Sequence, residues 1–460
     1  MRRILLPLLL SASAWAGMGF VHPGALDSRE ELDFVKAKIA AGEQPWTAKF
    51  YTVRTFARAA ADTVAPVDGN ENAQRTDALR AYANALVWRY TGDAKYAEQG
   101  IGILNLWARS FAGYALPPEG QGNQGLLNAA WIGALLGPAA EILRDYPSWK
   151  PTDLALVQDM FRTRFYPALE QMSPWNGNVD LTQIDAMMNL AVFNEDEALF
   201  NAGLERLRRR DSAYFYLSTD QEGARTYGGS SPSSWSDASG NAPLKWVDGL
   251  TQETCRDNGH HAQFALASTL HAAEVAWHQG VDVYAENTAR FTSAMELLAT
   301  QLQSGDMQGT CLNPTASTDF YNTWEIGYNH YHNRKGIELP ATWQLISQKT
   351  RARGLSDWNI FYESLTHAEV AAPASGIGTA RRSPDVSFNR DGSLRLRAER
   401  SGNHEVTVLG WDGTRQARAS LFLEAGQEGC LPLRLEGRAS GLHLVQVRIG
   451  SESRTFKLAR

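Results

Sequence analysis

Apolar residues recur at three- and four-residue intervals through most of the first 367 positions, and the spacing predicts helices over Ala78–Tyr90, Tyr96–Phe111, Leu126–Leu143 and Leu154–Met172. Thr91-Gly92-Asp93 and Pro117-Pro118-Glu119-Gly120 read as turns between them, and Pro151-Thr152-Asp153 opens a helix with proline in its first turn. Strand-like alternation is scarce in this region, so the pattern predicts a mostly α fold of helical hairpins. Ser218 to Gly249, rich in Gly, Ser, Asp and Trp, interrupts it and reads as a lid over a site or as a disordered loop. After His367 the chain passes through Ala371-Ala372-Pro373-Ala374-Ser375-Gly376, a linker composition, and then alternates apolar and polar positions over Ser393–Arg397, His404–Leu409, Leu431–Leu435 and Leu442–Ile449. These short strands predict a small C-terminal β-sandwich. The domain plan is a leader over 1–16, a helical domain over 17–367, a linker over 368–385 and the sandwich over 386–460.

The leader is read from Met1-Arg2-Arg3, the apolar run Ile4 to Leu10 and the small residues ending Ala14-Trp15-Ala16, the three regions of a secretory signal peptide with cleavage after Ala16. It implies a secreted, cell-surface or periplasmic protein. No later stretch reaches the roughly 20 uninterrupted apolar residues of a membrane span. With 460 residues, 43% of them hydrophobic and 10% aromatic, the chain can bury a large core. A net charge of -6 argues against a nucleic-acid partner and leaves any anionic substrate to local Arg, His and Asn clusters. Of the three cysteines, Cys255 and Cys311 form the natural pair, either as a structural staple or as two free thiols; the absence of CxxC spacing argues against a metal role.

Six of the ten histidines fall between His260 and His332. Two segments there concentrate polar and aromatic groups. Gln252-Glu253-Thr254-Cys255-Arg256-Asp257-Asn258-Gly259-His260-His261-Ala262-Gln263 leads into a helix running to about His278, which puts its polar groups at a helix N-terminus, where anions are favoured. Thr323-Trp324-Glu325-Ile326-Gly327-Tyr328-Asn329-His330-Tyr331-His332-Asn333-Arg334 has few aliphatic residues for a core helix, and its polar face reads either as solvated or as the lining of a site. A third, Trp175-Asn176-Gly177-Asn178, precedes a helix over Leu181–Phe193 and taken alone is an ordinary turn and cap. His271, Glu274 and His278 share a helical stripe that reads as structural, with no HExxH to favour a metal, and Arg206-Leu207-Arg208-Arg209-Arg210 reads as a solvated charge run.

Together with Phe20-Val21-His22-Pro23-Gly24, these three segments resemble the alginate-lyase family of helical-toroid polysaccharide lyases, over about residues 20 to 365. The Asn-Asn-His-x-Tyr-Trp motif of the family's best-known members is absent. The resemblance implies an (α/α) toroid or incomplete barrel, a uronic-acid polymer such as alginate or glucuronan as partner, β-elimination as the reaction, and no cofactor or metal. A uronate C5 proton leaves only when the neighbouring carboxylate is neutralised, a role implied for Asn178, His260 and Arg256. A tyrosine, Tyr328 or Tyr331, would then take that proton and protonate the leaving O4. Asn176, His261, Glu253, Gln263, Trp324, His330 and Arg334 are implied substrate-binding residues. The C-terminal strands, ending Gly441 to Arg448 and Arg454 to Arg460, resemble a sorting domain recognised by export machinery. Two rival readings remain open: an α/α-barrel glycoside hydrolase using paired acids among Glu253, Asp257 and Glu325, and a non-catalytic glycan-binding surface protein.

Overall fold

A computed structural model describes residues 19–58, 71–119, 122–221, 223–353 and 362–369 of an N-terminal unit, and 387–388, 393–397, 402–410, 415–423, 427–431, 442–449 and 452–459 of a C-terminal one. The two compact units are Met1–Ser375 and Gly376–Arg460. The leader and most of the linker lie outside the described residues.

The first unit is helical. Its elements are α1 (Arg29–Ala40), α2 (Trp46–Arg58), α3 (Glu71–Thr91), α4 (Ala94–Ser110), α5 (Gly122–Leu143), α6 (Pro151–Met160), α7 (Tyr166–Glu170), α8 (Gly177–Asn194), α9 (Glu197–Tyr214), α10 (His260–His278), α11 (Val283–Glu286), α12 (Thr288–Ser304), α13 (Glu325–Tyr328), α14 (Pro340–Leu345) and α15 (Glu363–Thr366). Local chemistry sets the boundaries. Ser28 and Glu31 form a reciprocal capping box on α1, Asp93 and Asp196 cap α4 and α9, and Pro151 opens α6. A π-turn at Phe161–Phe165 joins α6 to α7.

Helices α3, α5, α8 and α10 form the inner ring, with α4 and α9 packed outside. Neighbouring inner helices run parallel because each hairpin returns the chain to its starting end. Close approaches show the alignment: a methyl at Gly133 would meet Ala186 Cβ at 3.0 Å and one at Gly137 would meet Asn189 Cβ at 2.9 Å. One helix further on, Thr182 Oγ1 lies 3.0 Å from Ser268 Oγ and His271 Nδ1 lies 3.1 Å from Asp185. Helix α5 is long and apolar enough to cross a membrane, but nearly all of it is buried inside the unit, as a central helix packed on every side must be.

The C-terminal ends of the inner helices are closed by residues 20–31. Leu26 N–H donates to Asn189 Oδ1 at 3.0 Å, Val21 N–H to Gln279 Oε1 at 2.9 Å, and His278 Nδ1 lies 2.6 Å from Ala25 O. Beneath this strap Arg334 bridges Glu31 and Glu274, each at 2.7 Å, and His278 lies 3.0 Å from Glu31. The stripe His271, Glu274 and His278 is therefore filled with internal ion pairs.

The arginine run differs from its expected solvated state. Arg206 and Arg210 are buried against Asp180, Arg210 Nε lying 2.5 Å from Oδ2, while Arg208 alone pairs at the surface with Glu286. Positions 206 and 210 are one turn apart, so both face α8, and Asp180 supplies the charge that lets them be buried.

The C-terminal unit has two antiparallel sheets: β1 (Ser387–Phe388), β2 (Leu394–Arg397) and β5 (Glu428–Leu431) in the order β1-β2-β5, and β3 (Gly402–Gly410), β4 (Arg415–Leu423), β6 (Leu442–Ile449) and β7 (Glu452–Ala459) in the order β4-β3-β6-β7. Leu394, Leu396 and Leu431 of one sheet share a core with Val406, Val408, Leu423, Val445 and Val447 of the other, which makes the unit a sandwich.

One buried group yields a pH test. Burial alone would depress the His271 imidazolium, but Asp185 and Glu363 on its two sides outweigh it and carry its pKa from 6.5 up to about 10. A pKa raised on folding contributes stability that is whole below the unfolded value and lost as pH rises through the folded one. The stability difference between wild type and His271→Gln, read from urea midpoints, is expected to be largest below pH 6.5 and to shrink toward pH 10.

Candidate active site

The N-terminal ends of α8 and α10 meet beside the turn that follows the Ser218–Gly249 loop. Main-chain bonds set this turn in place: Phe215 bridges Thr251, and Gln252 N–H donates to Tyr214 O at 2.8 Å. Gln252 Oε1 accepts the Gly177 N–H at 2.9 Å. Only glycine fits there, since a methyl at 177 would stand 2.5 Å from the Tyr214 ring.

The fully buried Glu253 is the hub. Its carboxylate accepts the Asn178 backbone N–H at 3.2 Å, the Asn178 amide at 2.8 and 2.7 Å, the Tyr214 hydroxyl at 2.7 Å and the Arg256 guanidinium at 2.5 Å. Burial, and then the charge of Glu253, push the Tyr214 hydroxyl well above its ordinary range, so it stays a donor. The Asn178 amide nitrogen faces both oxygens of this carboxylate, so the side chain ties the start of α8 to Glu253. Arg256, whose side chain is 38% exposed, keeps the rest of its fork facing outward.

His260 opens α10 after Gly259, a residue in the left-handed region at φ +85°. Its Nδ1 lies 3.0 Å from Asp319 Oδ2 and 3.3 Å from the Tyr321 hydroxyl, and its ring packs edge-on against Phe264 and Tyr321. Gln263, fully buried, holds that partner loop from within, its amide donating to Asp319 O at 3.0 Å and accepting the Tyr321 N–H at 3.2 Å. The same loop is tied covalently, for Cys255 and Cys311 are bonded, with a Cα separation of 5.3 Å. His261 turns aside to Asp257, 2.5 Å away; burial raises the Asp257 carboxyl, but this bond and charge outweigh it and hold the pKa low. Asn176 sits half-exposed at the rim, next to Trp175, which is 43% exposed.

The segment 324–334 does not reach this mouth. It runs along the lower half of α10, where a methyl at Gly327 would meet Leu270 at 2.7 Å. Leu270 is ten residues beyond His260, about 15 Å down the helix axis. Tyr331 is a core residue whose hydroxyl donates to Tyr284 O at 3.0 Å, and burial pushes its pKa far up. Tyr328 is stacked between His332 and Trp343, and burial, with Glu338 nearby, raises it to about 12. Both departures run opposite to what a tyrosine base needs. His330 stacks on Tyr284 at 3.8 Å, burial holding its pKa down to about 3; Arg334 is spent on Glu31 and Glu274; Trp324 is fully buried. The aromatic density of this segment is packing.

The helical toroid, with Arg, His and Tyr where its inner helices begin, is the part of the chain that the comparisons match. Residues 58–214, from the end of α2 through α9, match the family model described as Alginate lyase. Among solved structures, alginate lyase A1-III from Sphingomonas species A1 is similar with a TM-score of 0.53 at 14% identity, over 76% of this chain and 97% of that one. A tyrosine-to-phenylalanine form of A1-III complexed with tetrasaccharide gives 0.54 at 15%, over 78% and 98%. An alginate lyase from Bacteroides ovatus gives 0.43 at 14%, over 62% and 85%. No curated protein matches the chain.

The tether on the 319–321 loop is testable apart from activity. Gln263→Met keeps the volume but loses both hydrogen bonds to the loop. The Tyr321 amide is expected to lose protection by about tenfold or more in hydrogen exchange, while amides in the middle of α10 keep theirs.

Proposed function

We propose that this protein is a polysaccharide lyase that cleaves a uronic-acid polymer, alginate first among them, by β-elimination at the mouth formed by Arg256, His260 and Tyr321. The observation that carries the reading is the Tyr321 hydroxyl 3.3 Å from His260 Nδ1, at the helix start that follows the turn in which buried Glu253 holds Arg256. A1-III was solved with tetrasaccharide both in its tyrosine-to-phenylalanine form and in a histidine-to-alanine form, and those residue types are the pair brought together here.

The chemistry follows from these groups. Arg256 neutralises the uronate carboxylate, which makes the C5 hydrogen acidic. His260 Nδ1–H, shared between Asp319 and the Tyr321 oxygen, stabilises the phenolate. Tyr321 phenolate takes the C5 proton, the C5–H electrons form the C4=C5 bond, the C4–O4 bond breaks, and O4 takes the proton back from Tyr321. The parallel inner helices aim the positive ends of their dipoles at the same mouth, which favours an anionic chain in an overall acidic protein.

The acids a hydrolase would use are committed elsewhere. Glu253 is buried under its donors, Asp257 is held by His261, and Glu325 is buried with Arg351 at 2.6 and 3.0 Å and Ser364 at 3.0 Å. The reading includes an exported enzyme, supported by the leader-like first 16 residues and by a disulfide inside the site.

The test follows ultraviolet absorbance of the C4=C5 double bond on alginate, polymannuronate, polyguluronate and glucuronan without added metal. Tyr321→Phe is expected to lower kcat by about a thousandfold, the range for loss of a proton-transfer group, whereas Tyr328→Phe stays within a few-fold of wild type. Full activity in Tyr321→Phe would remove it as the base; reducing ends without new absorbance would replace elimination by hydrolysis.

A further inference from the structure

The Ser218–Gly249 loop holds an arginine that the structure has oriented but not paired. The Arg225 guanidinium lies over two rings at once, 4.6 Å from the Trp246 centroid and 5.4 Å from that of Tyr216. Those rings meet each other at 5.1 Å, and Trp246 leans on the fully buried Trp235 at 5.1 Å, so the platform is anchored in the core. Among the described residues no hydrogen bond or ion pair uses the Arg225 fork. Asp220, the acid that senses its charge, is already taken by Arg290 at 2.5 and 3.0 Å.

An arginine held over aromatic faces makes no hydrogen bond to them and keeps its N–H fork available to a planar carboxylate. The platform stands at the same end of the unit as Arg256. Tyr216 is bonded on both sides of its backbone to residues 249 and 250, at 2.9 and 2.8 Å, and follows by two residues the Tyr214 whose hydroxyl holds Glu253. The loop is further pinned to the site by Ser230, which accepts from Gln252 Nε2 at 2.7 Å and from Arg210 at 2.8 Å.

We propose that Arg225 on its Trp246–Tyr216 platform is a carboxylate-binding subsite for a uronate unit several positions along the chain from the one being cut. The inference rests on the uronate-lyase reading for its ligand. It makes the loop a reader of polymer length, with the anionic chain running from the Arg256 mouth across the loop.

The experiment compares wild type, Arg225→Ala and Arg225→Lys on polymeric alginate and on the shortest alginate oligosaccharide that wild type cleaves. Arg225→Ala is expected to raise KM for the polymer about tenfold with kcat within twofold, and to lower the polymer-to-oligosaccharide ratio of kcat/KM by a similar factor. Arg225→Lys, which keeps the charge but loses the planar fork, falls between them. Equal losses on both substrates, or none on either, would overturn the subsite. Binding of alginate oligosaccharides of increasing length, followed by tryptophan fluorescence in wild type and Arg225→Ala, reads the platform without turnover. Binding that weakens in the variant only for the longer oligosaccharides, with no cleavage by wild type, would keep the subsite and sink the lyase reading; length-independent or unaltered binding would sink the subsite.

Discussion

A carboxylate with no access to water has to be matched inside the protein, and Glu253 is matched from three directions at once. Asn178 reaches it from the start of α8, Tyr214 from the end of α9, and Arg256 from its own turn before α10. A buried ion of this kind costs several kcal/mol to desolvate unless its partners are in place. The cost falls on any arrangement in which these three elements separate, so the hub fixes the mouth of the toroid as well as the aim of Arg256. Among the described residues only one cation faces the carboxylate, and the other donors are neutral. Arg256 meets it through one nitrogen and is 38% exposed, which leaves its other donors for an incoming anion.

The same logic is repeated deeper in the bore, with different consequences. His271 sits between Asp185 and Glu363, and Arg334 and His278 sit among Glu31 and Glu274. These groups come from α1, α8, α10, α15 and the turn after α13, segments far apart in the chain. Each cluster is closed to solvent and its charged groups are spent on one another, which suits it to hold helices in register and leaves it no free group for chemistry. Solvent-closed clusters below and a part-exposed Arg256 at the mouth separate the scaffold from the site.

Much of this was legible in the chain. Helical periodicity located α3, α4, α5, α8 and α10, because each buries an apolar stripe and repeats every turn. Glu253, Arg256, His260 and Gln263 stood out together as polar residues crowded at a helix start, while Asn178 joined them only through the family resemblance. The tyrosine proposed as the base was not legible. Residues 324–334 looked like a site because they lack aliphatic residues, yet Tyr331, His330 and Tyr284 pack ring against ring as well as leucines would. Tyr321 carries no periodic signal, being in an irregular loop, and only its partners Gln263 and His260 reveal it. The local signal available was Asp319-Phe320-Tyr321, an acid and two aromatics shortly after a cysteine that had a partner next to Arg256. Arg206 and Arg210 were misread for a related reason: a charge run is solvated unless a buried acid faces it, and Asp180 belongs to another helix.

In the proposed elimination, Tyr321 on a loop and Arg256 and His260 at a helix start divide the work in a physically sensible way. The cationic donors need fixed geometry and dipole support, which a helix N-terminus supplies. A residue that moves a proton from C5 to O4 must address two atoms in turn, and a loop side chain has the freedom to do so. That freedom would be useless if the whole loop wandered. The bond from Cys255 to Cys311 anchors the loop's far side one residue from Arg256, and Gln263 grips it again at 319 and 321, so the hydroxyl is left to shift while its backbone is held.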